Sequence, residues 1–197
     1  KVEELNLGGN RIGPGGAKEF AALCTVRASL TVANVLKNWL DVDSAKMLAE
    51  VVKQKGISLC GIKPDQTEAD FACHSLKPAD GILIAADLRV NAVLTSLNVG
   101  YNNLDEEAAL GIVRAVRKHD RMTVLGLGCC GIGPSGAKEI AEYASVSAVL
   151  TFLDISSNSI GDEGMKAIGT SLLGSTSSRL GALKCDAFEV PVGAVSL

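Results

Sequence analysis

The sequence predicts an α/β solenoid, a curved horseshoe with a parallel sheet on its concave face and helices on its convex face, and three observations carry that prediction. Asn10, Asn38, His74, Asn102, Cys130 and Asn158 form a ladder whose steps are 28 residues, apart from one step of 36. Each rung closes a phrase of alternating apolar residues, as in VEELNLGGNRI (2–12), LTVANVLKNWL (30–40), LTSLNVGYNNL (94–104), MTVLGLGCCGI (122–132) and LTFLDISSNSI (150–160). After the phrase come a turn, often glycine-bearing, and then a stretch of helical apolar spacing. A fixed period of this length marks supersecondary units that stack on one another.

The elements follow in order within each unit. Alternation of Leu5 with Leu7, Leu97 with Val99 and Leu153 with Ile155 is the period of a short strand with one buried face. The turns IGPGG (12–16), IGPSG (132–136) and IGDEG (160–164) end it. Helices are predicted over 17–23, 45–52, 106–116, 137–144 and 165–172, where apolar residues recur at three and four, as with Ala17, Phe20, Ala21 and Leu23. Strands pair at about 4.8 Å while helices need about 8–10 Å, so a stack with all helices on one side curves with its strands inside. A rung asparagine has amide groups to satisfy the backbone of the turn that leaves the strand. His74 and Cys130 fill that role less completely.

The long step locates an insertion. Reading back from His74, the third strand is TEADF (67–71), and LKPADGILIAADL (76–88) supplies its turn and helix. The extra residues therefore lie within 56–66. Leu183 and Cys185 echo Leu59 and Cys60, and Ala194, Val195 and Leu197 have the spacing of a seventh strand. The expected organisation is one repeat domain over 1–197, about six units plus a partial seventh, with insertion-type units at 56–88 and 179–197. Repeat phrases at both ends predict that the chain is a fragment of a longer array and part of a larger assembly.

Composition narrows the function. A net charge of −3 is too mild to steer toward nucleic acid or an anionic membrane, and no stretch approaches the roughly 18 apolar residues of a membrane span. Aromatic residues make up only 4% of the chain, so a core of aliphatic side chains in thin layers is expected. Four of the six cysteines fall at or beside positions the repeat uses for buried small residues or its rung. They read as free thiols, which points to an intracellular, cytoplasmic location.

The phrase LxxLxLxxNxIGxxGAxxLAxAL, carried almost letter for letter by LNLGGNRIGPGGAKEFAAL (5–23) and LDISSNSIGDEGMKAI (153–168), resembles the leucine-rich repeats of the ribonuclease-inhibitor-like class. That class includes the repeat domains of NOD-like receptors and the Ran GTPase-activating protein. The resemblance implies a protein-interaction or scaffold module that binds a protein partner through the concave strand face and the loops at its rim, without catalysis. It also allows a regulator of a small GTPase or the sensor part of a receptor. For the former, Arg11 is the only arginine directly after a rung, but the distinctive loop of the Ran regulator is absent.

Outward strand positions define the candidate surface, including Glu4, Asn6, Val32, Asn34, Leu36, Glu68, Asp70, Asn98, Phe152 and Asp154. The whole set of outward positions has four acids and no lysine or arginine, which predicts a basic partner. Trp39 and Tyr101 stand just past the strands, where aromatic side chains anchor interfaces. The partner-binding residues are thus expected among Glu4, Asn6, Asn34, Trp39, Glu68, Asp70, Asn98, Tyr101, Phe152 and Asp154. Neither catalytic residues nor a cofactor is expected. Cys129 and Cys130 point to opposite faces and no second pair lies at ligand spacing, so no metal site is expected either.

Overall fold

The computed structural model describes residues 2–185 and the backbone of 188–191. Strands and helices alternate: β1 Glu4–Asn6, α1 Gly13–Val26, β2 Val32–Asn34, α2 Val42–Lys55, β3 Glu68–Asp70, α3 Pro78–Asp87, β4 Ser96–Asn98, α4 Glu106–Val116, β5 Val124–Gly126, α5 Pro134–Val146, β6 Phe152–Asp154, α6 Gly161–Leu173, β7 Ala182–Cys185 and β8 Phe188–Pro191. The 28-residue period is also the strand register, with Glu68 beside Ser96, Ser96 beside Val124, and Val124 beside Phe152. Leu97, Leu125 and Leu153 therefore stack in one buried column, backed by Ile112, Ile140 and Ile168 from the helices. The result is an α/β leucine-rich-repeat solenoid.

Local chemistry sets the helix starts. Asp41 accepts the Ser44 amide at 2.8 Å and Asp105 the Ala108 amide at 2.8 Å, satisfying donors that a helix leaves free in its first turn. Helices α1, α3 and α5 instead carry proline at their first turn, where a missing N–H costs nothing. Glu106 reaches from α4 to accept the amides of Gly133 and Gly136 at 2.9 and 3.0 Å, so one repeat caps the helix of the next. A side chain at Gly136 would meet that carboxylate, its Cβ falling 2.4 Å from the Glu106 oxygen.

The rungs tie the repeats together. Asn102 accepts the amides of His74 and Leu76, both at 3.0 Å, and donates to the carbonyls of Phe71, Val99 and Gly100. Asn38 treats Asn10, Ile12, Leu7, Val35 and Leu36 in the same way, and Asn158 does so for Cys130, Ile132, Leu127, Ile155 and Ser156. Cys130 keeps only the donor half, its thiol lying 3.6 Å from Val99 O and 3.5 Å from Gly128 O. His74 keeps less. Its Nδ1 sits 2.7 Å from Ala72 O, which fixes the proton on that nitrogen.

The sheet breaks at the long step. β1 and β2 form one parallel pair, and β3 to β7 form a second parallel sheet of five strands, to which β8 adds in antiparallel sense. The sequence expectation of parallel strands throughout is corrected at β8, which folds back on β7 with Cys185 opposite Phe188. Ala194, Val195 and Leu197 lie outside the described residues. Beside β2, Ser58 and Cys60 of the insertion take the place of a strand, bridging Val32 and Asn34. Val32 and Leu36, expected on the outer face, are consequently buried at 5% and 4% exposure.

Two buried aspartates of α3 take over where sheet and rung pairing fail. Asp87, 1% exposed, accepts the amides of Leu59 and Cys60 and the Ser58 hydroxyl at 2.6 to 3.1 Å. Asp80, 4% exposed, accepts the Lys37 amide from the second repeat and the Lys77 amide from its own, at 2.8 and 2.9 Å. The two lie seven residues apart on one buried face of the helix. Burial holds the Asp87 carboxyl above its ordinary value, although its donors pull the other way.

Substitution Asn102→Ala is expected to leave two amides and three carbonyls short of partners and to lower unfolding free energy by about 3 kcal/mol or more, read by urea denaturation. Cys130→Asn is expected to raise it by about 1 kcal/mol, because the restored oxygen reaches the amides of Asn102 and Leu104.

Candidate functional site

The concave face is built from two rows of side chains with different duties. In the row nearer the rim, each Asn or Asp bends back on its own turn. Asn6 accepts the Gly8 amide at 3.0 Å, Asn34 that of Leu36 at 3.0 Å, Asp70 that of Ala72 at 2.9 Å, Asn98 that of Gly100 at 3.1 Å and Asp154 that of Ser156 at 2.9 Å. These residues mimic a backbone turn where the strand ends. On β7 the row continues with Lys184, and over β1 to β6 Gly126 is the one exception, since a Cβ there would lie 2.5 Å from the Asn98 side-chain oxygen. Its absence leaves the Asn98 amide room to sit across the neighbouring strand.

The other row consists of Glu68, Ser96, Val124 and Phe152, which are register partners on consecutive strands. Among the described residues none of these side chains bonds to its own backbone. Glu4 belongs to the corresponding row of the first sheet, beside Val32. Its carboxylate pairs with Lys63 of the insertion at 3.0 Å. Asp154 pairs likewise with Lys184 at 3.0 Å.

These two lysines change the electrostatics. The sequence places four acids and no base on the face of the first six strands, but Lys63 reaches Glu4 from the insertion and Lys184, the register partner of Asp154 on β7, adds a base to the face itself. Glu68 and Asp70, both exposed, have no ion pair among the described residues. Partial burial would raise the Asp154 carboxyl, but the Ser156 hydroxyl and amide and then Lys184 outweigh it and hold the group below its ordinary value.

At the rim, Trp39 is 58% exposed and Tyr101 46%. Both adopt positive φ, 58° and 56°. The Arg11 guanidinium lies 4.8 Å from the centre of the Trp39 ring, a cation–π distance. Tyr101 lies against Gly128, where an added Cβ would stand 3.3 Å from the ring and 3.3 Å from the Ser156 hydroxyl. The ten expected residues thus fall into distinct places. Glu68 and Phe152 share the free row, Asn6, Asn34, Asp70, Asn98 and Asp154 the turn-binding row, and Glu4 lies in the first sheet, with Trp39 and Tyr101 on the rim.

Sequence reasoning missed Lys63, Lys184, Asp80 and Asp87. The aspartates had a legible signal, two acids seven apart on the apolar stripe of ADGILIAAD (79–87). Cys129 is exposed and Cys130 buried, and Cys24, Cys60, Cys73, Cys129 and Cys130 are free thiols. No described helix is long and apolar enough to cross a membrane.

A repeating strand-turn-helix unit, a rung at its turn and a strand-lined concavity define a class, and comparison with known proteins agrees with it. The family model "Leucine Rich repeat" matches residues 1–21, 90–113, 122–141 and 146–169. The chain is a leucine-rich repeat protein. It is similar to the mouse (Mus musculus) NACHT, LRR and PYD domains-containing protein 12, with 31% identity over 191 residues that cover 85% of this chain and 18% of that protein. The corresponding protein 14 of Mus musculus is 26% identical over 159 residues, covering 80% of this chain and 15% of its own length. The chain therefore spans less than a fifth of these relatives. Among solved structures, that of leiomodin-1 actin-binding site 2 superposes with a TM-score of 0.56 at 20% identity, over 65% of this chain and 74% of that one, a likeness of fold. Repeats of this kind support a protein-interaction module.

Because the Asp154 carboxyl is held below its ordinary value of 3.8, its stabilising contribution is present above that pH and is lost as pH falls through the lowered folded value. Urea denaturation of the intact chain from pH 5 downward is expected to show a shallower acid loss in Asp154→Asn than in the parent.

Proposed function

We propose that this chain is a non-catalytic interaction or scaffold module that grips a protein partner across the concave sheet and along the rim loops. The observation that carries the reading is the row Glu68, Ser96, Val124 and Phe152, whose side chains stand in register on consecutive strands with Glu68 exposed and the other three half-buried. A row of mixed acid, hydroxyl, aliphatic and aromatic character, free of backbone duty, suits a protein surface better than a small molecule, because it offers contact area without enclosure. The basic feature such a partner presents is confined to the stretch facing Glu68 and Asp70, since Glu4 and Asp154 already have lysine partners. The free cysteines favour action inside the cell, in the cytoplasm.

A second reading, the repeat part of a multidomain receptor, is favoured by the relatives, whose names include NACHT and PYD domains beside the repeats. Both readings use the same surface.

The immobilised chain is expected to retain a stoichiometric partner from extracts of its source, with retention falling about tenfold or more in the Glu68→Lys, Phe152→Ala double variant and unchanged in Lys46→Glu on the convex side. Equal retention by all three, with folding verified by circular dichroism, overturns the concave-face assignment.

A further inference from the structure

The long step opens the rim. Elsewhere a rung asparagine, or in one repeat Cys130, ties each turn to the next, but the turn at Lys37 and Trp39 and the turn at His74 and Ser75 are joined through Asp80. Between them lies a pocket of about 340 Å3 lined by Lys37, Trp39, His74, Ser75, Lys77 and Asp80, together with Leu40 and Ala79. Its chemistry is one-sided. Asp80 is the sole acid of the lining, it is buried, and each of its oxygens already accepts a backbone amide. Neither Lys37 nor Lys77 takes part in an ion pair among the described residues. Arg11 adds a third cation 4.8 Å above the Trp39 ring.

Resting on the interaction-module reading, we infer that this rim pocket is the anchor for an acidic segment of the protein partner, an Asp or Glu side chain entering between Lys37 and Lys77 while an adjacent apolar residue packs on Trp39. Two lysines beside an exposed indole, held in a left-handed backbone by the rim, supply a desolvating wall and a charge for one carboxylate. A polyanion such as nucleic acid fits less well. It would run on to the exposed Glu68 and Asp70 of the same repeat, and the chain as a whole is negative. The volume is at the small end for ligand sites, which suits side chains of a docked segment. The partner is then bipolar, basic opposite Glu68 and acidic at the rim.

Trp39 is the only tryptophan, so its emission reports on this pocket alone. The probe is a tetrapeptide of alternating leucine and glutamate blocked at both ends, compared with its leucine–glutamine counterpart and with inorganic phosphate. A saturable change in Trp39 emission is expected with the acidic peptide, weakened about fivefold or more in the glutamine peptide, in the Lys37→Gln, Lys77→Gln double variant and at about 0.5 M salt. The control variant Lys46→Gln should bind as the parent does. A response that ignores the lysines or the carboxylates, no saturable response at millimolar peptide, or phosphate binding as tight as the peptide overturns the inference. If the immobilised chain holds a partner through Glu68 and Phe152 but indifferently to Lys37 and Lys77, the pocket assignment fails and the module reading stands. Peptide binding without any partner dependent on Glu68 and Phe152 supports the pocket and removes the concave-face reading.

Discussion

The side-chain amide at the rung is the interaction on which the rest of this structure depends. Asn38, Asn102 and Asn158 each accept two amides of the preceding repeat and share their two N–H groups among three carbonyls of two repeats. Strands of three residues make too few ladder bonds to hold a repeat by themselves. The rung extends pairing past the strand end, at about 0.5–1.5 kcal/mol net for each bond. It also holds a strained turn. The residue before each rung has positive φ in all six repeats, and only Gly9 among them is a glycine; Lys37, Cys73, Tyr101, Cys129 and Ser157 adopt it at a cost of about 1–2 kcal/mol each.

Once the rung fixes the turn, it fixes what the turn displays. A left-handed residue swings its side chain away from the helical path, and that is why Trp39 and Tyr101 stand exposed on the rim while Leu97, Leu125 and Leu153 fill the core. The long step is the place where this regularity lapses. Asp80 and Asp87 replace a missing asparagine and a missing strand with carboxylates, which accept hydrogen bonds but donate none. The repair joins backbone to backbone without closing the rim, and the cavity beside Trp39 is what remains.

Much of this was legible in the residues. The ladder predicted the period, the register and the position of the interruption, and helix α4 falls on 106–116 as the spacing required. What stayed hidden depends mostly on neighbours far apart in the chain. The turn in which Asn6 accepts the Gly8 amide is local to NLGGN, but a count of acids on six strands says nothing of Lys63 reaching Glu4 from the insertion or of Lys184 standing beside Asp154 on β7. Val32 has the alternation of an exposed residue, yet the insertion covers it. Side-chain periodicity reports which face a residue occupies; only the assembled chain reports what lies across from it.

Amide hydrogen exchange at the rung donors tests the central claim most directly. If rung bonds hold the repeats together, the amides of His74, Leu76, Cys130 and Ile132, none of them inside a helix or strand, should exchange within about tenfold of helix-interior amides such as Val113, opening only with their repeats. Exchange of these four at the rate of an exposed turn, while the helices stay protected, would contradict the account and return the stability of the solenoid to apolar stacking alone.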